Sequence, residues 1–291
     1  MKRKRRERDV IDAEGSDMNE VLQLHPDDAR LLRWAHEHLE HPSLAARLTN
    51  FIGLPIERGL KLLPKTWYES LRQGVNKSLS QALEWAIAPM VNTPGRPARD
   101  GQHKLLSATS GALGGFFGLP AVIAELPLST TITLRTIADI ARGEGEDIDD
   151  TATRMACLEV LALGGRTDED DAAETGYYGI RLAMALHLSR VPARVFENSI
   201  LKPSHPALVE LTAAIAGRFG IVVTEQSAVK LVPILGALSG ALINVIFLQH
   251  FQDVARAHFT VRRLERRYGP ERVRQAYEAY SRARPNVEHV V

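Results

Sequence analysis

Cysteine is nearly absent: Cys157 is the only one in 291 residues. A disulfide within the chain is therefore excluded, and so is any zinc site built on several thiolates. Charge of one sign is also missing overall. The net charge is +1, so no global field draws the chain to nucleic acid, and a charge argument has to be local. No apolar stretch follows the basic N-terminus, so the pattern of a secretory signal is absent and a cytoplasmic protein is expected. Strand signals are scarce. Ile221–Val223 is the one short β-branched run, and it sits between helical patterns.

Several catalytic motifs are missing too. Ser110–Gly118, SGALGGFFG, has neither of the phosphate-cradling glycine spacings, no lysine follows it, and no strand precedes it. A phosphate loop is excluded, and no nucleotide or other cofactor is expected. Ser239 lies in GALSG, which misses the spacing of a nucleophile elbow. The stretch His36–Glu40, HEHLE, has glutamate where a zinc-protease helix needs its second histidine. It reads as a solvated helix face. Asp147 and Asp149 lie in the acidic EGEDIDD stretch, which lacks the ligand pattern of a calcium loop and reads as a loop leading into a helix. No metal site is expected.

What is present is helical periodicity. Hydrophobic residues make up 45% of the chain, enough for a sizeable core. His25-Pro26-Asp27-Asp28 is a helix start, with proline in the first turn and acids at the positive dipole end. Trp67, Leu71, Val75, Leu79, Leu83 and Ile87 recur every four residues, which predicts one buried face of a long helix. Further helices are predicted over Asp150–Leu163, around Tyr177–Leu186, over Pro192–Leu201 and over Ala207–Phe219. The expected fold is all-α: a single multi-helix domain with glycine-rich apolar helices packed centrally. Residues 1–22 are expected as a disordered basic tail, 23–270 as the helical domain, and 271–291 as a C-terminal basic helix and tail.

Two long segments carry no charge, Leu105–Ala124 and Leu231–Gln252. Each approaches the length of a membrane span. Both contain GxxxG, at Gly111 and Gly115, Gly114 and Gly118, and Gly236 and Gly240, a spacing that lets helix backbones approach closely. Pro120, Pro127 and Asn244 argue against a simple span. The two segments are expected to pack together, as a buried core, a surface-inserted element or a span.

Basic residues gather at both ends. Lys2, Arg3, Lys4, Arg5, Arg6 and Arg8 precede the helices; Arg262, Arg263, Arg266 and Arg267 follow the second apolar segment. Each such residue near an anionic lipid surface is worth about 1 kcal/mol. The N-terminal run lacks the interleaved aromatics that stack on bases, and no specific nucleic acid is expected. Tyr177 and Tyr178 suit either a membrane interface or core packing. Among polar groups, His250, Asp253 and His258 are the candidates for metal or acid–base chemistry, with a structural role as the alternative. Glu125 stands alone in apolar sequence and needs a partner. Arg135 and Asp139 are spaced to pair along a helix.

Ser110–Arg142 and Val232–Gly269 resemble the signature regions of the EcsC family, and ETGYYGIR, Glu174–Arg181, resembles its middle motif. The motif order is kept over roughly residues 55–270. That resemblance implies a helical protein associated with the membrane, and by analogy an accessory to an ABC transporter. It carries no catalytic residues. Three readings stay open: a cytoplasmic protein peripheral to, or partly inserted in, the inner membrane; an enzyme of hydrolase type using His250, Asp253 and His258; and a soluble helical scaffold.

Overall fold

A computed structural model describes residues 24–40, 44–52, 65–87, 119–165, 176–189, 206–230 and 237–283. The described residues are mostly helical and contain no strand. The helices are α1 (Pro26–Glu40), α2 (Leu44–Ile52), α3 (Lys65–Ile87), α4 (Leu119–Gly143), α5 (Thr151–Leu163), α6 (Tyr177–Ser189), α7 (Pro206–Lys230), α8 (Ala237–Tyr268) and α9 (Pro270–Ala283). The chain divides into two compact units. The smaller joins Met1–His38 to Ala257–Val291, and the larger is Leu39–Arg256.

In the larger unit, the four-residue period of α3 does what it predicts. Trp67, Leu71, Val75 and Leu79 are buried, and the side chains of Leu83 and Ile87 lie outside the described residues. α3 packs mainly on α4 and also on α7. α7 in turn meets α2, α5 and α6. It runs on past Phe219 to Lys230, taking in Ile221–Val223, with Val222 and Val223 buried. The weak helix propensity of β-branched residues is overridden by packing.

α4 is continuous through Pro127. Proline removes one backbone donor. Nearby hydroxyls turn inward to carbonyls of their own helix: Thr131 to Pro127 at 2.7 Å, Thr133 to Ser129 at 2.8 Å and Thr136 to Ile132 at 2.7 Å. That satisfies buried hydroxyls inside an apolar helix. Further along, Asp139 pairs with Arg142, both buried, one residue short of the spacing expected for Arg135 and Asp139. α4 ends in a Schellman turn. Gly145 sits at φ +86, Glu146 N–H reaches the Ala141 carbonyl at 3.0 Å, and Gly145 N–H reaches that of Arg142 at 3.1 Å. The acidic stretch then folds locally. Asp149 N–H donates to the Asp147 side chain at 2.9 Å, and buried Glu146 accepts from Thr153 Oγ1 at 3.1 Å.

The smaller unit is built on Leu32 and Ala35 of α1, Phe259, Val261 and Leu264 of α8, and Val273, Ala276 and Tyr277 of α9. Gly269, at φ +88, ends α8 and lets Pro270 open α9. Asp28 accepts from Tyr268 Oη at 2.7 Å and Arg267 Nη1 at 2.8 Å. His36 corrects the solvated reading of HEHLE. It is 3% exposed, bonded to Ser281 at 2.8 Å and packed on the Tyr277 ring at 4.7 Å. Helical spacing turned it toward the apolar stripe of Leu32, Ala35 and Leu39 rather than away from it.

Candidate functional site

His250 and Asp253 both lie on the part of α8 that belongs to the larger unit, and each is bound into its framework. α5 ends at Gly164, whose carbonyl lacks a helical partner. The His250 imidazole lies 2.8 Å from that oxygen, through Nε2. A carbonyl can only accept, so Nε2 carries the proton and Nδ1 the bare lone pair. The ring is completely buried. Loss of hydration is the main cause that lowers its pKa to about 4; the Gly164 bond opposes this, Arg47 adds to it and Asp253 opposes it. His250 is therefore neutral at pH 7 and closes a helix end from a distant helix.

Close packing lets it do so. A Cβ on Gly164 would fall 2.4 Å from Phe251 Cε1, and one on Gly165 would fall 2.4 Å from the Arg218 carbonyl of α7. Those glycines admit α7 and α8 to the end of α5, a role that no spacing motif in the sequence announces.

Asp253 is engaged on both oxygens. Arg47 of α2 donates to one at 2.7 Å, Gln249 donates to the other at 2.7 Å, and Arg256 lies 3.5 Å away. This network ties α2 to α8 near the surface. His258 belongs to the smaller unit, where it is fully buried beside the Phe259 ring. Among the described residues, no three His, Cys, Asp or Glu side chains are grouped to hold a metal ion.

A second polar group was foreshadowed only by lone Glu125. Gln226 of α7 donates to Asn244 of α8 at 2.6 Å, and Asn244 donates to the Glu125 carboxylate of α4. Gln226 and Asn244 are buried and Glu125 is half-buried. Each amide passes its donor toward the carboxylate. The chain of bonds ties α4, α7 and α8 together.

The motif at Glu174–Arg181 also has a local physical basis. Tyr177 N–H, at the start of α6, donates to Glu40 Oε1 at 3.1 Å. A Cβ on Gly176 would fall 2.6 Å from the other Glu40 oxygen, so glycine is what admits the carboxylate. An acid there complements the helix dipole. Glu40 is thus a capping group, which its place in HEHLE did not suggest. Tyr177 is buried, Tyr178 is half-buried, and the Arg181 guanidinium lies over both rings at 5.3 and 5.5 Å.

Large apolar side chains are exposed on three helices of this unit: Leu128 of α4 (52%), Leu182 and Leu186 of α6 (62% and 56%) and Leu242 of α8 (42%). Among the described residues, no helix is long and apolar enough to cross a membrane. Gly111, Gly114, Gly115, Gly118 and Gly236, and Lys2, Arg3, Lys4, Arg5 and Arg6, lie outside the described residues; Gly240 falls in the first turn of α8. Of the C-terminal arginines, Arg262 and Arg263 are half-buried, Arg266 is exposed, and Arg267 is exposed while paired with Asp28.

The model of the EcsC protein family matches residues 29–264, most of the chain. The chain belongs to the EcsC family. The EcsC match opens in α1 and closes in α8, so it takes in the Gln226–Asn244–Glu125 bonds, the His250 contact and the capped start of α6, and leaves α9 outside. No curated protein and no solved structure matches the chain.

Proposed function

We propose that this EcsC-family chain is a membrane-associated accessory protein, held at the surface of an anionic bilayer and acting on a membrane partner rather than through catalysis of its own. The observation that carries this reading is the outer side of α6, where Leu182 and Leu186 are left 62% and 56% exposed. Exposed apolar side chains in number mark contact surfaces, and a bilayer interface accepts them at a gain that grows with the area buried. The basic residues at both ends and the two uncharged glycine-rich segments support the same placement. A surface position is supported by the described helices, none of which is long and apolar enough to cross a membrane. An ABC transporter is the class of partner that the family implies.

The hydrolase alternative asks His250, Asp253 and His258 to move protons. The ring of His250 has no solvent exposure and its Nε2 is committed to Gly164, while Asp253 is held by Arg47 and Gln249. These bonds favour the structural role.

Fractionation tests the proposal. The full chain is expected with the membranes, retained at low salt and released by alkaline carbonate. Recovery in the soluble fraction alone would overturn it, and retention through carbonate would replace a surface position with insertion.

A further inference from the structure

Helix α6 offers a face whose composition suits a lipid surface. Tyr177, Ile180 and Met184 are its buried positions, and the helix packs on α5 and α7. Leu182, Ala185, Leu186 and Ser189 are exposed. Spacings of three, four and seven residues put these four on a single stripe. Three of its four positions are apolar, and its two leucines are the most exposed large apolar residues described.

Charge decides what this stripe meets. From Thr175 to Phe196 the sequence holds no acidic residue, and it carries Arg181, Arg190, Arg194 and His187. The Glu40 carboxylate accepts from the backbone of the first turn of α6. Arg181 sits beside Leu182 with its guanidinium over Tyr177 and Tyr178, and Tyr178 is half-buried. Leucines with arginine and tyrosine at their edge, and no acid, match the boundary between acyl chains and anionic headgroups. Leu128 on α4 is differently placed. Glu125 stands one turn from it, half-buried, and a carboxylate there opposes an anionic surface. Leu242 lies in a stretch with no lysine or arginine from Leu231 to Gln252.

We infer that α6 is the docking helix, which lays Leu182 and Leu186 into the interface of an anionic bilayer with Arg181 at the headgroups. The inference rests on the membrane reading above and adds the surface that makes the contact.

Flotation of the purified full chain with vesicles tests both. One vesicle preparation is phosphatidylglycerol mixed with phosphatidylcholine; the other is phosphatidylcholine alone. The wild-type chain is expected to float with the mixed vesicles and far less with phosphatidylcholine. The double variant L182S/L186S should bind the mixed vesicles about tenfold less, because two half-exposed leucines lose their burial. The control L128S/L242S should stay within about twofold of wild type. Circular dichroism melting checks that both variants fold, as expected for substitutions at exposed positions. If wild type floats and L182S/L186S floats equally well, or if L128S/L242S loses as much, the docking helix is wrong and the membrane reading stands. Equal binding to both vesicle types would overturn the anionic part. If wild type floats with neither, the membrane reading itself fails.

Discussion

Neither α6 nor α7 has a polar face that repeats at helical spacing, yet they meet different fates. α7 packs against α2, α3, α5 and α6. Among its described side chains the exposed positions, Glu210, Ala213 and Gly217, are small or charged. α6 packs on α5 and α7 and presents Leu182 and Leu186 outward. A helix that is apolar all round normally lies in a core. α7 obeys that rule by having enough neighbours. α6 has too few, and what it leaves uncovered is large and apolar. The difference separates a helix that builds the fold from one with a face left for something else.

That contrast is open to measurement, beginning where the effect is largest. On α7, Phe219 is 1% exposed, and its ring packs on Phe247 and Phe251 at 6.1 and 5.5 Å. Phe219→Ala should cost about 4 kcal/mol in urea denaturation, the range for emptying a packed aromatic site. A loss under about 1 kcal/mol would mean that α7 is not the core helix its neighbours imply.

His250 sharpens the core side of the comparison through pH. Its folded pKa, about 4, lies below the ordinary value of 6.5. Between these values the unfolded chain takes up a proton that the folded ring refuses. Stability should therefore be complete above pH 6.5 and fall as pH drops toward 4, by about 3 kcal/mol from this group. His250→Gln can still donate to the Gly164 carbonyl and does not titrate, so the variant should lose this part of the acid slope. Equal slopes for both proteins between pH 4 and 6.5 would refute the dry, neutral imidazole.

The smallest effect belongs to α6. Leu182→Ser and Leu186→Ser should each change stability by no more than about 0.5 kcal/mol, the range for surface positions. A loss comparable to that of Phe219→Ala would show that the stripe is buried in the folded protein and would remove the reason to look for its partner.

Much of the fold was legible because helices write their faces into sequence at a fixed period. Trp67, Leu71, Val75 and Leu79 announced the buried side of α3, and the proline and acids at Pro26–Asp28 announced the start of α1. The EcsC signature regions were visible as well, and the family match agrees with them. The polar chemistry was less legible. His250 and Asp253 were picked out as polar groups beside an apolar run, but their partners Gly164 and Arg47 lie 86 and 206 positions away, and no local pattern encodes such a distance. Glu125 was seen to need a partner; that it would be Asn244, an amide, depended on how α4 meets α8. Gly165 and Gly176 went unnoticed because their importance lies in what a side chain would strike.

The sequence by itself determined an all-helical chain, its main apolar faces and its family, since these follow from local periodicity and ordered motifs. Only the tertiary structure decided that His36 and Glu40 turn inward to partners, that the His250 imidazole closes the end of α5, and that α7 is covered while the leucines of α6 are not. Burial depends on which neighbours arrive, and that is settled by packing between helices far apart along the chain.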